Sequence, residues 1–311
     1  MSLVKINNLV KRYNQVIAVD NLSLDIAEGE IFGFLGPNGA GKSTTINAIC
    51  GLVKPTQGEI LIDGLIIKNE PLKVKERLGL VPQEIALFPT LKARENVEFF
   101  GKLAGLKGEQ LKNKVQEALE LVGLAEHSKG LAKNFSGGMK RRLNIACAIV
   151  HQPRLIIMDE PTVGIDPQSR NHILETVRLL NKRGSTIIYT SHYMEEVEAV
   201  CSRIAIIDQG RLIACGSKEE LKSLVAEEEK LLIEVLDYDY NTLAQLKDIR
   251  GVKDAHLTGN TLEIIVTSAQ KVLQDVMVFL AQHGVRIKGV NLMEPDLETV
   301  FLSLTGKRLR D

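Results

Sequence analysis

Residues 36–44 constrain this chain more than any other stretch. They match the P-loop pattern G-x-x-x-x-G-K-[ST] at every fixed position, which here are Gly36, Gly41, Lys42 and Ser43. The apolar run 31–35 before the motif predicts a buried strand, and residues 44–50 after it predict a helix. Strand, glycine loop and helix in this order are the context that supports the motif. The sequence therefore predicts an α/β fold with a phosphate-binding loop, because a chance glycine-rich turn would not match all of these features.

The chemistry of the loop follows from its residue types. Glycines allow backbone N–H groups to turn inward around phosphate oxygens, because no Cβ blocks the approach. The helix N-terminus adds partial positive charge at the same place. Lys42 supplies a full charge for the β- and γ-phosphates, and Ser43 offers a hydroxyl to Mg²⁺. The residues predicted to hold the phosphates are Gly36, Pro37, Asn38, Gly39, Ala40, Gly41, Lys42, Ser43 and Thr44.

Composition limits the function classes. The chain has 311 residues, enough for one large or two ordinary domains, and the 44% that are hydrophobic suffice for a full core. Basic and acidic residues number 39 each, so the basic excess typical of nucleic-acid binding is missing. The four cysteines form no C-x-x-C pair, which favours small apolar core residues in a reducing compartment. No apolar run reaches 18 residues, so the sequence predicts no membrane-spanning helix.

Two acidic residues end the apolar run that begins at Leu155. A buried strand that releases carboxylates at its C-terminal edge places them where α/β sheets bind ligands. Asp159 is predicted to hold Mg²⁺, directly or through a water, and Glu160 to polarise an attacking water. In isolation an Asp-Glu pair after a strand is equally compatible with the start of a helix or turn. Its position downstream of a P-loop favours the chemical role.

Three further residues become candidates only in combination with the P-loop. Tyr13 precedes the loop and could stack on a purine ring, although an isolated tyrosine there is more often a surface residue. Gln83 follows a short apolar strand, where its carbonyl could face a metal or a water. His192 follows the strand predicted at 186–190, which we expect beside the acid-bearing strand, so that it could contact a γ-phosphate. Taken singly, Gln83 and His192 are more often ordinary polar residues.

A helical block separates the P-loop from the acid-bearing strand. Apolar residues at Leu111, Val115, Ala118, Leu119 and Val122 share one helical face, and residues 90–150 are predicted to form an inserted helical subdomain. The tripeptide Ser136-Gly137-Gly138 begins a helix there, with Ser136 as N-cap. It forms a second anion cradle by the same backbone logic, although a plain capped helix is the simpler alternative.

The last third of the chain has a different order of elements. Strands are predicted at 231–236, 253–257, 262–266 and 285–290, and helices at 241–249, 272–283 and 296–306. Without the last helix the order is β-α-β-β-α-β, a small ferredoxin-like α+β arrangement. We therefore expect one domain at 1–217 and a C-terminal accessory domain at 218–311. The second lacks a cluster of His, Cys or paired acids, which favours regulation, dimer contact or support of a partner.

Six motifs in this order resemble the ATP-binding subunit of an ABC transporter. They are the P-loop, Pro82-Gln83, Ser136-Gly137-Gly138, Asp159-Glu160, Asp166-Pro167 and Ser191-His192. The resemblance covers about residues 3–217 and implies a P-loop NTPase of the ABC ATPase type, with a mixed sheet core. It implies ATP and Mg²⁺ as ligands, with Tyr13 on adenine. It further implies Ser43, Gln83 and Asp159 at Mg²⁺. Glu160 would be the general base, and His192 would contact the γ-phosphate.

The same resemblance gives the second cradle a role. Two such domains pack head to tail in the family, so Ser136, Gly137 and Gly138 of one subunit would complete the ATP site of the other, with Asp166 at the interface. Met139 stands where the family usually has glutamine, which removes one polar side chain and leaves the backbone donors in place. A homodimer, or a pair with a related ATPase subunit, is implied.

Residues 84–100, the Met139 variant of the second cradle and the C-terminal helix resemble the ATPase subunits of ABC-2-type exporters, which serve drug, antibiotic, polysaccharide and ion efflux. This implies an integral-membrane permease on another chain, contacted through 84–100. It also implies a cytoplasmic position on the inner face of the cell membrane through that permease. One alternative is a non-transport ABC ATPase acting on nucleic acid or ribosomes, but no tandem cassette, coiled coil or zinc module is found in the sequence. Another, a P-loop kinase or GTPase, would leave the second cradle and His192 without a role.

Overall fold

The computed structural model describes residues 1–224, 229–236, 243, 245–293 and 296–306. The chain forms two compact units, of which the first contains Met1–Lys218 and the second is Glu219–Gly306. Within the described ranges, no helix is long and apolar enough to cross a membrane.

The first unit alternates strands and helices along most of its length. Its strands are β1 (Ser2–Tyr13), β2 (Val16–Ala27), β3 (Ile31–Leu35), β4 (Gln57–Ile62), β5 (Leu65–Ile66), β6 (Leu78–Val81), β7 (Leu155–Asp159), β8 (Thr186–Thr190), β9 (Arg203–Asp208) and β10 (Arg211–Ser217). Its helices are α1 (Lys42–Ile49), α2 (Pro71–Lys75), α3 (Ala93–Leu103), α4 (Gly108–Leu121), α5 (Gly137–Ile149), α6 (Pro167–Lys182) and α7 (Met194–Val200), with a 3₁₀ turn at Ala132–Asn134.

A six-stranded sheet positions the functional residues. Its order is β10-β9-β3-β8-β7-β6, with parallel neighbours except for the β9–β10 hairpin. The strands β3 and β7 are apolar because they are buried within the unit. The mixed sheet predicted from the sequence is confirmed. Strands β7 and β8 are neighbours, as expected for the strands that precede the Asp-Glu pair and His192.

A second, antiparallel sheet has the order β2-β1-β4-β5. Its buried side chains, including Ile6 and Ile60, share one apolar cluster with Phe32 and Phe34 of the six-stranded sheet. A fully buried side chain of this size contributes about 1.5–3 kcal/mol of transfer free energy. Alternating apolar and polar residues predict short strands at 3–6 and 22–26 with Tyr13 between them. The strands β1 and β2 are instead 12 residues long each, and Tyr13 ends β1.

Three helices, α3, α4 and α5, lie in the insertion between β6 and β7. The five residues predicted to form the apolar face of α4 are all buried, as the helical spacing requires. The chain leaves α4 at Gly123, which has the positive φ of +67° that favours glycine.

The cysteines depart from expectation at one position. Cys50, Cys147 and Cys201 are buried core residues, as predicted. Burial raises the pKa of the Cys50 thiol to about 12. The prediction is wrong for Cys215, which lies exposed on β10. That strand alternates between exposed and half-buried positions and does not belong to the buried centre of the sheet.

The second unit has its own four-stranded sheet. Its strands are β11 (Glu229–Val235), β12 (Val252–Thr258), β13 (Thr261–Val266) and β14 (Ile287–Met293), and its described helices are α9 (Ala269–Gln282) and α10 (Leu297–Thr305), while the short helix α8 (Lys218–Ser223) spans the boundary between the units. The order β12-β13-β11-β14 with antiparallel neighbours is that of the predicted split βαβ arrangement. The helix predicted over 241–249 lies in part outside the described residues.

Candidate active site

The P-loop connects the end of β3 to the start of α1. Gly41 precedes the helix with a φ of +99°, and a Cβ on it would lie 2.4 Å from the carbonyl oxygen of Ala18. A Cβ on Gly36 would lie 2.5 Å from the carbonyl oxygen of Ile207. Only glycine fits either position. Because no side chain caps the start of α1, its first N–H groups can serve an anion.

A cavity of about 740 Å³ opens above this loop. Its volume is in the usual range for a small-molecule site. Predicted residues that line it are Tyr13, Asn38, Gly39, Ala40, Gly41, Lys42, Ser43, Thr44, Gln83, Asp159, Glu160 and His192. The sequence did not single out three others, Ala18, Val163 and Tyr193. Gly36 and Pro37 belong to the loop but do not line the cavity.

Lys42 is held by the loop that carries it. Its ammonium donates to the carbonyl oxygens of Gly36 at 2.6 Å and Pro37 at 3.1 Å. Burial lowers the pKa of Lys42, while the negative charges of Glu160 and Asp159 oppose that shift. A positive charge in such a half-buried position is well suited to an anionic ligand.

Thr190, at the end of β8, fixes both acids of β7. Its hydroxyl donates to Asp159 Oδ1 at 2.7 Å and accepts the backbone N–H of Glu160 at 2.9 Å. Glu160 has a φ of +48°, in the left-handed region that non-glycine residues rarely adopt and that often marks functional sites. Burial raises the pKa of Asp159, and the Thr190 hydrogen bond opposes that shift.

Gln83 and His192 converge on one oxygen of Glu160. The amide nitrogen of Gln83 donates to Glu160 Oε2 at 2.9 Å, and His192 Nδ1 lies 3.4 Å from the same atom. The amide oxygen of Gln83 therefore remains the group that could contact a metal. These two side chains come from segments that are 109 positions apart in the chain, 83 and 192.

Tyr13 lies at the end of β1 and lines the cavity. The ammonium of Lys11 lies 4.8 Å from the centre of its ring, a cation–π arrangement. An aromatic ring at the rim of a phosphate-binding cavity is a suitable platform for a base.

Ser43, Gln83 and Asp159 are the candidate Mg²⁺ ligands, and all three line the cavity. Hydroxyl, amide and carboxylate oxygens beside phosphates suit Mg²⁺, which needs few protein ligands when a substrate supplies the others. Among the described residues, no group of three or more His, Cys, Asp or Glu side chains could hold a metal by itself.

Arg141 was missed by the sequence analysis. This residue of α5 is only 4% exposed, and its guanidinium donates to the carbonyl oxygens of Pro82 at 2.7 Å and Gln83 at 2.6 Å. It thereby holds the peptide groups on both sides of Gln83. Its sequence signal is weak, because an arginine on a helix most often faces solvent.

The second cradle does not reach the cavity of its own chain. The Ser136 hydroxyl accepts the N–H of Met139 at 3.2 Å, so the predicted N-cap is confirmed. Ser136 and Gly137 are exposed, whereas Gly138 packs so closely on α6 that a Cβ would lie 2.1 Å from Ser169 Oγ. Asp166 caps α6 by accepting the N–H of Ser169 at 2.9 Å.

A profile of the ABC transporter family matches residues 19–163. The chain is 47% identical over 311 residues to the linearmycin resistance ATP-binding protein LnrL of Bacillus subtilis, covering 99% of this chain and 100% of that protein. It is 36% identical over 307 residues to the daunorubicin resistance ATP-binding protein DrrA2 of Streptomyces coeruleorubidus, covering 98% and 95%. It is 36% identical over 314 residues to the Nod factor export ATP-binding protein I of Cupriavidus metallidurans, covering 100% and 99%.

Solved structures of ATP-binding cassettes have a similar fold. An ATP-binding subunit of an ABC transporter superposes with a TM-score of 0.67 at 27% identity, covering 72% of this chain and 93% of that chain. A dimeric cassette in a post-hydrolysis state, bound to ADP and Pi, superposes with a TM-score of 0.63 at 30% identity, covering 69% and 98%.

Proposed function

This chain belongs to the ABC transporter family, and from that membership we infer that it is the ATP-hydrolysing subunit of an exporter whose permease is a separate chain. The observation that carries the inference is a single cavity lined by the P-loop, Gln83, Asp159, Glu160 and His192. Its relatives are named for linearmycin resistance, daunorubicin resistance and Nod factor export, which supports export as the direction of transport.

ATP binds in this cavity through three kinds of contact. Tyr13 stacks on the adenine, the N–H groups of the P-loop and the start of α1 hold the phosphates, and Lys42 gives its charge to the β- and γ-phosphates. Ser43, Gln83 and Asp159 would hold Mg²⁺, which when bound would neutralise negative charge that develops on the phosphates.

Glu160 is the general base and His192 the γ-phosphate contact. The hydroxyl of Thr190 and the left-handed backbone fix the start of the Glu160 side chain. Glu160 Oε2 accepts a hydrogen bond from the amide of Gln83. As general base, it takes a proton from the attacking water. His192, within 3.4 Å of that oxygen, orients the γ-phosphate for attack.

The active assembly is a dimer with two composite sites. Ser136, Gly137 and Gly138 of one copy complete the site built on the P-loop of the other. This is supported by the exposure of Ser136 and Gly137 and by their absence from the cavity of their own chain. A similar cassette is dimeric with ADP and Pi bound, which supports a dimer for this chain. Residues 1–217 form the ATPase domain, with its helical subdomain at about 90–150, and 218–311 the accessory domain.

The permease contacts the segment 84–100, which directly follows Gln83. Phe88 and Phe99 lie within it with 41% and 39% of their surface exposed, and their ring centres are 4.7 Å apart. Exposed aromatic pairs of this kind are typical of protein interfaces. Attachment to the permease places the subunit at the inner face of the membrane.

Replacing Glu160 by glutamine tests the assignment. We expect Glu160→Gln to lower ATP hydrolysis by at least about 10²-fold, the usual scale for loss of a general base. Because ATP then persists, the dimer should accumulate. Phosphate release and light scattering after gel filtration with ATP and Mg²⁺ measure the two effects.

The matched control is Glu109→Gln, which removes the same charge from an exposed position on α4. It should hydrolyse ATP at the wild-type rate. Wild-type turnover in Glu160→Gln, without a stable dimer, would contradict the proposed function.

A further inference from the structure

One buried carboxylate contacts the neighbours of both proposed catalytic residues. Thr162 lies two residues after Glu160 and donates its hydroxyl to Glu196 Oε2 at 2.7 Å. Ser191 directly precedes His192 and donates to the same oxygen at 2.8 Å. The two loops that carry the proposed base and the proposed phosphate contact therefore meet at a single atom, which belongs to α7.

The surroundings of Glu196 suit an ionised carboxylate. The residue is 3% exposed, and Tyr189 donates a third hydroxyl to Oε2 at 2.9 Å. Three donors on one oxygen match a group that only accepts hydrogen bonds. Burial and the charge of Glu196 raise the pKa of Tyr189, so this phenol keeps its proton and donates it. Arg170 Nε, 3.3 Å from Oε1, supplies the opposite charge.

The same contacts fix His192 on both of its flanks. The Ser191 hydroxyl that donates to Glu196 also accepts the backbone N–H of Tyr193 at 3.0 Å. The guanidinium of Arg170, which neutralises Glu196, lies 4.4 Å from the centre of the Tyr193 ring. The backbone on either side of His192 is thus tied to Glu196 or to its counter-ion.

We infer that Glu196 is a positioning residue for hydrolysis, which holds the loops of Glu160 and His192 at a fixed separation through Thr162 and Ser191. The inference rests on the proposed function, because it assumes that Glu160 and His192 act on ATP. Glu196 does not line the cavity. It affects hydrolysis through Thr162 and Ser191 and does not itself contact the nucleotide, which the P-loop binds.

The first test is Glu196→Gln, an isosteric change that removes the charge. A displacement of about 1 Å at a catalytic group lowers turnover by up to roughly 10²-fold, so we expect kcat to fall about ten- to a hundredfold. The KM for ATP and the Kd of a fluorescent ATP analogue should stay within about twofold of wild type, since the P-loop contacts are untouched. The neighbouring Glu195→Gln, an exposed position on the same helix, should keep the wild-type kcat.

The second test separates positioning from stability. Thr162→Val and Ser191→Ala each remove a hydroxyl that donates to Glu196 from one of the two loops. Tyr189→Phe removes a hydroxyl that donates to Glu196 from strand β8. All are assayed below the onset of melting, established by circular dichroism. We expect the two loop variants to lower kcat at least about fivefold more than Tyr189→Phe. Adding Glu196→Gln to either loop variant should cause little further loss, because residues that act as a unit are not additive.

The results distinguish failure of the positioning role from failure of the proposed function. Wild-type kcat in folded Glu196→Gln, or equal losses in Tyr189→Phe and the loop variants, would overturn the positioning role and leave the proposed function intact. If Glu196→Gln does not fold, the comparison of Thr162→Val, Ser191→Ala and Tyr189→Phe decides alone. Absence of ATP hydrolysis in the wild type, or its insensitivity to Glu160→Gln, would instead overturn the proposed function.

Discussion

At the scale of single residues, the proposed site places opposite charges in one cavity and fixes each through the backbone. The ammonium of Lys42 is held by the carbonyl oxygens of Gly36 and Pro37. The N–H of Glu160 is held by the Thr190 hydroxyl. Both charged groups are therefore oriented before substrate binds, which lowers the cost of organising them during the reaction.

Lys42→Ala should weaken nucleotide binding without harming the fold. A hydrogen bond to a charged group contributes about 1.5–3 kcal/mol, so we expect roughly a ten- to hundredfold higher Kd for ATP. Because burial already lowers the pKa of Lys42, removing its charge should cost little stability. Titration calorimetry and thermal melting measure the two quantities.

The control for Lys42→Ala is Lys112→Ala, which removes an exposed lysine from α4. It should leave the Kd unchanged. An unaltered affinity in Lys42→Ala itself would count against the P-loop as the phosphate site.

Sequence predicts those residues whose chemistry shows in their immediate context. Asp159 and Glu160 were predictable because an apolar run ends at them. Thr190 and Arg141 were not, since a threonine at a strand end and an arginine on a helix are ordinary features. Their importance depends on β8 pairing with β7 and on α5 passing next to Gln83, which are tertiary facts.

At the scale of elements, the two glycines that begin α5 differ in how closely other residues approach them. Gly138 allows α5 to approach Ser169 at the start of α6, and a Cβ would fill the space between them. At Gly137 the nearest heavy atom to a Cβ would be Ile165 Cδ1 at 4.0 Å. A Cβ would therefore fit at Gly137 within its own chain but not at Gly138.

The aromatic surface at α3 yields a prediction for the permease contact. Phe99→Ser should leave the ATPase activity and melting temperature of the isolated subunit near wild type, because the ring is 39% exposed. It should reduce permease binding, since truncating a central interface aromatic costs about 2 kcal/mol or more, roughly thirtyfold in affinity. The amount of membrane protein that copurifies with the tagged subunit measures the loss.

Leu179→Ser provides a matched control on α6. Leu179 is 41% exposed, close to Phe99, and lies outside residues 84–100. Equal copurification of the permease with both variants would show that 84–100 is not the contact.

The helices were more predictable than the first two strands. An uninterrupted 3.6-residue period marks the buried face of α4. In β1 and β2 the alternation is interrupted where the register shifts. Asn8 and Asn21 have φ values of +49° and +56° there. Such bulges invert the in–out pattern, so the sequence showed only short fragments of two long strands.

At the scale of the whole molecule, the proposed composite sites make a quantitative prediction. Lys42→Ala disables the P-loop of a copy. Gly137→Glu blocks its cradle at an exposed position, where a Cβ would lie 4.0 Å from Ile165 Cδ1. At an ATP concentration well below the raised Kd of Lys42→Ala, each variant alone should be nearly inactive. In an equal mixture half of the dimers are mixed, and each has one intact site, so roughly a quarter of the wild-type activity should return.

The measurement is ATP hydrolysis after mixing at constant total protein, with each pure variant as its own control. Activity that stays at the level of the pure variants, with both folded, would mean that the site is complete within one chain.

For the second unit, the sequence predicted the strand order but not the role. The strand order of the second unit was predictable from its alternating segments, because each is short and bounded by turn residues. The role of that unit was not predictable, because the buried core formed by its described residues is aliphatic.

The guanidinium of Arg141 joins α5, which begins at the second cradle, to the backbone just before residues 84–100, the segment proposed to contact the permease. In the proposed dimer, a movement of α5 would therefore also move the backbone that leads into residues 84–100. The linkage is rigid at both ends, since the arginine is buried and its two hydrogen bonds are short. Under the proposed function, ATP hydrolysis without transport would require these two hydrogen bonds of Arg141 to break.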